Sequence, residues 1–334
     1  MRAVVLVGGF GTRLRPLTFT TPKPMLPVGH RPIVENLVSM LAPAGVDEVV
    51  LALGFKPQPF VDAFPDGTCA GVRLVYAVEP QPLDTAGAIR FAADFAGVDD
   101  TFVVVTGDVL TDVDVARLVE FHRSRAAEAT LHLTPVDDPS AYGVVALADD
   151  GRVERFVEKP APGTAPSNLI TAGTDVLEAS VLGRIEPGRK VSIERETFPT
   201  MVAEGRVFGM ATDDYWVDTG RPDPYRQANL DLLDGRRRLL TAVAVEDGAV
   251  LGDGVSIEHS LVSRGASVGA GAMVVDSVIL PGATVGAGAR VESSIVMGRV
   301  GSSASVVHSV IGAEGVVADG ERIVEALVPD PATV

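Results

Sequence analysis

MRAVVLVGGFGTRLRPLTFTTPKPMLPVG, residues 1–29, opens the chain, and the order of its parts decides how the first half folds. Arg2–Val7 is a β-branched apolar run of the kind buried in a parallel sheet. A glycine-rich turn follows at once, and Gly8, Gly9 and Gly11 let backbone N–H groups approach a ligand closely. Residues 1–34 contain no Asp or Glu, yet they hold Arg2, Arg13, Arg15, Lys23 and Arg31 in a chain of formal net charge −16. An acidic protein that clears one segment of negative charge and fills it with glycine and cations has made a place for an anion. The loop is not a dinucleotide fingerprint: GGFGTR lacks the spacing, and Pro16, Pro22, Pro24 and Pro27 keep a helix from starting promptly. It has no Gly-Lys-Ser/Thr, so it is not the phosphate loop of nucleoside triphosphatases either.

Outward from that loop, 334 residues suggest about two domains. Apolar residues make up 46% and aromatics only 5%, so small aliphatics must fill the cores. The single cysteine, Cys69, excludes an internal disulfide and reads as a small buried hydrophobe in a reducing compartment. No apolar run nears the ~20 residues that span a bilayer, and the first strand is too short for a signal peptide. A cytoplasmic protein with no membrane partner is expected. The acidic balance argues against nucleic acid as a partner.

Up to about residue 235, apolar runs alternate with amphipathic helical patterns. Val46–Leu53, Val72–Val78 and Thr101–Thr106 read as strands; Ile33–Leu41, Thr85–Phe95 and Val113–Ser124 read as helices, the last with Asp112 or Thr111 as its cap. This alternation predicts an α/β fold with a mostly parallel sheet. Strands near Thr130–Val136, Gly143–Ala148, Val153–Glu158 and Val207–Thr212 suggest an added, partly antiparallel region, and Ser192–Glu204 and Asp223–Leu233 look helical. RRR at 236–238 marks a join. Beyond it an aliphatic residue returns nearly every six positions, at Val245, Leu251, Ile257, Val262, Val268, Val274, Leu280, Val285, Val291 and Met297. The phase slips twice and becomes ragged past 297. A six-residue period with small residues at the corners predicts a parallel β-helix of hexapeptide repeats.

Gly8–Thr18 (GGFGTRLRPLT) followed by Pro22–Val28 (PKPMLPV) resembles the signature of the sugar-1-phosphate nucleotidyltransferases, and the likeness continues through the chain to the repeat tail. The resemblance implies a Rossmann-like nucleotidyltransferase domain over residues 1–235, then a left-handed parallel β-helix over 243–325. It implies nucleotidyl transfer from a nucleoside triphosphate to a sugar 1-phosphate with Mg²⁺ as cofactor. Gly8, Gly9, Gly11 and Thr12 would cradle the triphosphate with Arg13, and Lys23 would balance charge at the α-phosphorus. Asp108, in VVVTGDV just past a strand end, and Asp218, in YWVDTG, would hold the metal. Gly143 in AYGVV, with Glu158 and Lys159 in FVEKP, would take the sugar and its phosphate.

Within the family the chain most resembles the GDP-mannose pyrophosphorylase branch, through EPQPLDTAGAI (Glu79–Ile89), AYGVV and SIERE. That likeness adds Glu79, Asp84, Thr85, Gly87, Thr171 and Gly173 to the substrate contacts and reads SIERETFP as a scaffold helix. A carboxylate such as Glu79 can accept both N1–H and the 2-amino group of guanine, which favours GTP. Two positions depart from the branch: Asp84 stands where it has glycine, and Thr171 where it has asparagine. The acceptor is therefore mannose 1-phosphate or a related sugar or cyclitol 1-phosphate, such as glucose or valienol 1-phosphate. UTP, dTTP or ATP as donor, and a non-catalytic nucleotide-sugar-binding paralogue, stay open as alternatives. His259 and His308, in the repeat region, read as surface or inter-coil residues rather than acyl-transfer bases. The β-helix predicts self-association, as a homodimer or homotetramer.

Overall fold

The computed structural model describes residues 1–54 and 57–332, and its contacts divide them into two compact units. The first comprises Met1–Gly9 and Val34–Trp216, the second Phe10–Ile33 and Val217–Val334.

The first unit is built on one ten-stranded sheet. Its apolar runs form β1 (Arg2–Leu6), β2 (Glu48–Leu53), β3 (Val72–Val78) and β4 (Phe102–Thr106). These pair in parallel in the order β3-β2-β1-β4, with Arg2–Leu6 in register with Glu48–Ala52 on one side and Phe102–Thr106 on the other. In an open α/β sheet of this order ligands bind outside the carboxyl ends of the strands where the order reverses, here between β1 and β4. The sheet continues through β5 (Ala129–Pro135), β6 (Gly143–Leu147), β7 (Val153–Glu158), β8 (Leu169–Leu177) and β9 (Val207–Ala211). Here β8 runs antiparallel to β4, β5 and β6, while β9 runs parallel to β5. This is the partly antiparallel addition that the thinning of helical patterns suggested.

Helix α1 spans Ile33–Leu41, α2 Asp84–Ala96 and α3 Val115–Arg125. Ala86, Gly87, Ala88, Ile89, Ala92 and Ala93 are the buried residues of α2, and such small side chains let a helix lie close to a sheet rich in valine. The cap of α3 is Asp114, whose Oδ1 accepts from Arg117 N at 3.0 Å, not Asp112 or Thr111. Asp112 is buried, and its N–H donates to the Tyr215 carbonyl at 3.0 Å. The SIERETFP segment is a π-helical turn, Ile193–Thr197, leading into α4 (Phe198–Ala203). Cys69 is buried and outside any disulfide.

In the second unit α5 (Pro222–Leu233) and the Phe10–Ile33 segment accompany a three-sided solenoid of parallel strands from Val250 to Val328. This is the hexapeptide β-helix. Val250 pairs with Ser267 and Ser267 with Thr284, so these coils are 17 residues long, made of sides of six, six and five. The five-residue side explains both phase slips and corrects the inward column: Ile279 and Val296 fill the core, rather than Leu280 and Met297. Leu251 is exposed in the first coil. Thr284 pairs with Arg299, making the next coil only 15 residues, which is why the repeat becomes ragged past 297. At the short corner Gly298 has no room for a side chain: a Cβ would lie 2.3 Å from the Gly312 carbonyl oxygen and 2.4 Å from that of Gly315.

One corner repeats a second pattern. His259, Asp276, Ser293, His308 and Glu325 all have positive φ, and Ser260, Ser277, Ser294 and Ser309 follow the first four as a buried ladder. Each of Ser277, Ser294, Ser309 and Ala326 donates its N–H to the serine Oγ of the preceding coil at 2.9–3.0 Å. The ladder satisfies backbone donors that a closed corner would otherwise strand.

Candidate active site

The strand order of the first unit brings Gly8, Gly9 and Asp108 to the reversal point. Gly8 and Gly9 follow β1, and Asp108 follows β4 after Gly107, whose N–H donates to the Leu6 carbonyl at 2.9 Å. The loop after β1 therefore leaves the sheet beside the carboxylate-bearing turn.

Glu79, at the end of β3, is buried, and a Cβ on Gly8 would lie 3.3 Å from its Oε1. Its Oε2 accepts from Leu83 N at 2.9 Å, which leaves lone pairs on both oxygens for a further donor pair. Burial pushes the Glu79 carboxyl above its usual range, and the Leu83 N–H partly offsets this.

Asp84 begins α2 at φ +61°, in the left-handed region that favours glycine. Its side chain is exposed, and its Oδ1 accepts from Thr85 N at 2.9 Å. Ala86 and Gly87 donate their N–H groups to the Val191 carbonyl at 2.9 and 3.2 Å. The first-turn donors of α2 are thus used internally and leave little for a phosphate. Thr85 donates its hydroxyl to Glu194 Oε2 at 2.7 Å and accepts from Ile193 N at 2.9 Å. A Cβ on Gly87 would lie 2.6 Å from the Arg189 carbonyl oxygen. Thr85 therefore holds the start of the π-helical turn, and Gly87 packs on the Arg189–Val191 segment that precedes it.

Gly143, Glu158 and Thr171 converge. A Cβ on Gly143 would meet Phe156 Cζ at 2.8 Å and both Glu158 Oε2 and Thr171 Oγ1 at 3.2 Å. Lys159 holds positive φ, its N–H donates to the Tyr142 carbonyl at 2.9 Å, and its Nζ lies 3.4 Å from Glu158 Oε1. Gly173, also at positive φ, sits against Thr106, with Oγ1 2.8 Å from the position of a Cβ. Strand β8 and the carboxylate-bearing end of β4 are therefore neighbours.

Three further residues escaped the sequence reading. Trp216 Nε1 donates to the Ala172 carbonyl at 3.0 Å, and its ring meets Tyr142 edge-on at 5.6 Å, so the two aromatics stand beside Thr171 and Gly143. Both sit in motifs already singled out, next to the glycine in AYGVV and the aspartate in YWVDTG. Asp175 had no sequence signal. Burial, helped by the nearby Glu194 charge, pushes its carboxyl up to about 8, and its Oδ1 is buried without a hydrogen-bond partner.

In the second unit Gly11 holds φ +60° before a 3₁₀ turn, Thr12–Leu14, and Thr18 Oγ1 donates to its carbonyl at 2.8 Å. Lys23 is buried beside it, with Cβ 3.2 Å from the position of a Gly11 Cβ. Thr12 and Arg13 are exposed. Asp218 Oδ1 accepts from Gly220 N at 2.8 Å, and a Cβ on Gly220 would lie 2.7 Å from that oxygen and 2.8 Å from Arg13 Nη2. The arginine and the carboxylate thus flank one glycine. Arg15 instead stacks its guanidinium over Phe19, 5.3 Å from the ring centroid.

The nucleotidyl transferase family model matches residues 2–235, which carry every residue described above. The chain belongs to the nucleotidyl transferase family. A GlmU-like C-terminal hexapeptide model matches residues 233–301. Mannose-1-phosphate guanylyltransferase of Mycobacterium tuberculosis is 44% identical over 237 residues, covering 70% of this chain and 65% of that protein. Mannose-1-phosphate guanylyltransferase 1 of Arabidopsis thaliana is 38% identical over 272 residues, covering 77% and 74%. The chain thus spans about two thirds to three quarters of these relatives. A crystal structure of HddC from Yersinia pseudotuberculosis complexed with GMP-PN superposes with a TM-score of 0.58 at 28% identity, covering 68% of this chain and 97% of that one. As a nucleotidyl transferase the protein is an enzyme of phosphoryl chemistry, with a hexapeptide domain attached. Among the described residues no helix is long and apolar enough to cross a membrane.

Proposed function

We propose that this nucleotidyl transferase makes GDP-mannose from GTP and mannose 1-phosphate, in a catalytic domain over residues 1–235 joined to a β-helix domain over 243–325. The observation that carries this reading is the agreement of relatives named for that reaction, at 38–44% identity, over the part of the chain that holds the candidate site. The Glu79 carboxylate supports the choice of guanine. It stands beside Gly8 with lone pairs to accept N1–H and the 2-amino group, whereas uracil and thymine offer one N–H on that edge.

A phosphate oxygen of mannose 1-phosphate forms the new bond to the α-phosphorus of GTP while the bond to the β-phosphate oxygen breaks. Pyrophosphate leaves with the electron pair, and no covalent enzyme intermediate is needed. Arg13, with Gly8, Gly9, Gly11 and Thr12, holds the triphosphate, and Lys23 offsets charge at the α-phosphorus. Lys159 positions the incoming phosphate; Glu158 and Thr171 accept from or donate to sugar hydroxyls beside Gly143 and Gly173. Asp84 lies at the rim.

Asp108 and Asp218 offer hard carboxylate oxygens, the donor type that Mg²⁺ takes alongside substrate phosphates. Among the described residues no cluster of three or more His, Cys, Asp or Glu forms an all-protein cage, and Mg²⁺ is ordinarily held by one or two carboxylates together with substrate phosphates. When bound, Mg²⁺ supplies charge neutralisation at the phosphates. Asp218→Asn should lower turnover by at least about a hundredfold, measured as pyrophosphate release, with the unfolding midpoint little changed; unchanged turnover would remove the metal assignment.

A second reading concerns the acceptor alone. Thr171 Oγ1 faces the Gly143–Glu158 pocket where the branch has asparagine, so a sugar or cyclitol 1-phosphate with a different hydroxyl pattern fits the same machinery. Self-association as a homodimer or homotetramer through the β-helix is supported by exposed Val250, Leu251, Val316 and Leu327.

A further inference from the structure

The second unit contains a groove of about 650 Å³ that shares only Arg13 with the roles described so far. It is lined by the start of α5, by the β-helix corner that carries His308 and by Arg13. Its volume falls within the range of small-molecule sites. In a chain of net charge −16, the charged side chains lining it are Arg13, Arg221 and Arg226 against a single carboxylate, Asp223, and His308 is also in the lining. Leu327 contributes an apolar wall.

Arg226 is the most informative of these. Its Nη1 donates to the Asp276 carbonyl at 2.8 Å, which fixes the guanidinium on the β-helix, yet its Nε is buried with no hydrogen-bond partner. A buried cationic donor left unmatched is costly, and an anionic partner would satisfy it. The groove also meets the N-terminal end of the twelve-residue α5, whose Ncap, Arg221, makes no side-chain cap bond. That end adds positive potential.

We propose that this groove is an anion-binding site for a phosphorylated small molecule, held by Arg226 and Arg221 and reaching Arg13. The shared chemistry is an oligophosphate or bisphosphate group, which three guanidinium groups can chelate and Asp223 limits to one orientation. On the reading that Arg13 holds the substrate triphosphate, occupancy of the groove competes for that side chain and lowers the apparent affinity for GTP. Two sources could supply the ligand: pyrophosphate from the enzyme's own reaction, or a bisphosphorylated metabolite.

The test is calorimetric titration of the full chain, without divalent metal, with inorganic pyrophosphate in one arm and glucose 1,6-bisphosphate in the other. Wild type, Arg226→Gln and Arg221→Gln are compared; Arg221 is exposed, so its variant keeps the test intact if Arg226→Gln fails to fold. The expected result is that wild type binds at least one probe and each variant weakens that binding by about tenfold, the worth of one charged hydrogen bond. The tighter arm identifies the source. Initial rates with GTP and mannose 1-phosphate, without added anion, should stay within about twofold of wild type. Identical titrations for wild type and Arg221→Gln, or no binding of either probe to wild type, would overturn the site. A chain inactive on GTP whose titrations still differ would instead count against the substrate assignment and leave the groove standing.

Discussion

Gly143 is the residue on which the proposed sugar site turns. It brings the β6 backbone within reach of Glu158 and Thr171, and a methyl group there would occupy the space between them. Gly143→Ala should raise KM for the sugar phosphate by about tenfold, since overpacking displaces polar partners, while KM for GTP stays nearly constant; initial-rate kinetics with each substrate varied would show the split. Glu79 makes the corresponding test at the base end. Only its ionised form accepts two guanine donors, and burial raises its pKa, so the accepting form is lost as pH falls, beginning at a higher pH than for an ordinary glutamate. KM for GTP should therefore climb with acidification in wild type and lose that dependence in Glu79→Gln. The motif residues were legible as candidates because phosphate chemistry favours glycine-rich turns, cations and carboxylates. Their partners were not. Thr85 bonds to the π-helical turn and Gly87 packs on the segment before it, contacts no local pattern announces, and the buried Asp175 has no local pattern either, because its environment is assembled from β5, β8 and the Glu194 turn.

Elements were legible to the extent that their period was. The valine-rich strands β1, β2 and β4 and the alanine-faced α2 follow from composition and spacing, whereas the α3 cap moved from Asp112 to Asp114 because tertiary burial claims Asp112. The β-helix was visible as a near-six period, but its register was not. A 17-residue coil divides into six, six and five, so a strict hexapeptide count drifts onto Leu280 and Met297, each one residue beyond the inward side chain. The 15-residue coil cannot be anticipated from hydrophobicity, since its shortening lies in a corner, where Gly298 passes against two carbonyl oxygens. Gly298→Ala should destabilise the solenoid by about 1–3 kcal/mol, read as a lower unfolding midpoint. Alanine at exposed Val324 should leave it nearly unchanged. Equal midpoints for the two variants would contradict the close approach at that corner.

At the scale of the whole molecule, compactness does not follow the change of texture near residue 240. The signature segment Phe10–Ile33 groups with α5 and the β-helix, and its contacts there are specific. His30 Nδ1 lies 2.6 Å from Glu246 Oε1, Gly29 donates its N–H to Asn229 Oδ1 at 2.9 Å, and a Cβ on Gly312 would lie 2.8 Å from Pro16 Cβ. Sequence order could not reveal this, because a loop and a solenoid corner some three hundred residues apart share no pattern. The acid-free opening segment thus carries the cations proposed for the triphosphate while packing on the repeat domain. The most direct measurement is pyrophosphate release with GTP, UTP, dTTP and ATP, each crossed with mannose 1-phosphate and Mg²⁺. GTP should be favoured in kcat/KM by at least about tenfold, as expected where a buried carboxylate must be matched by two donors; equal or faster release from another triphosphate, or none from GTP, would contradict the assignment.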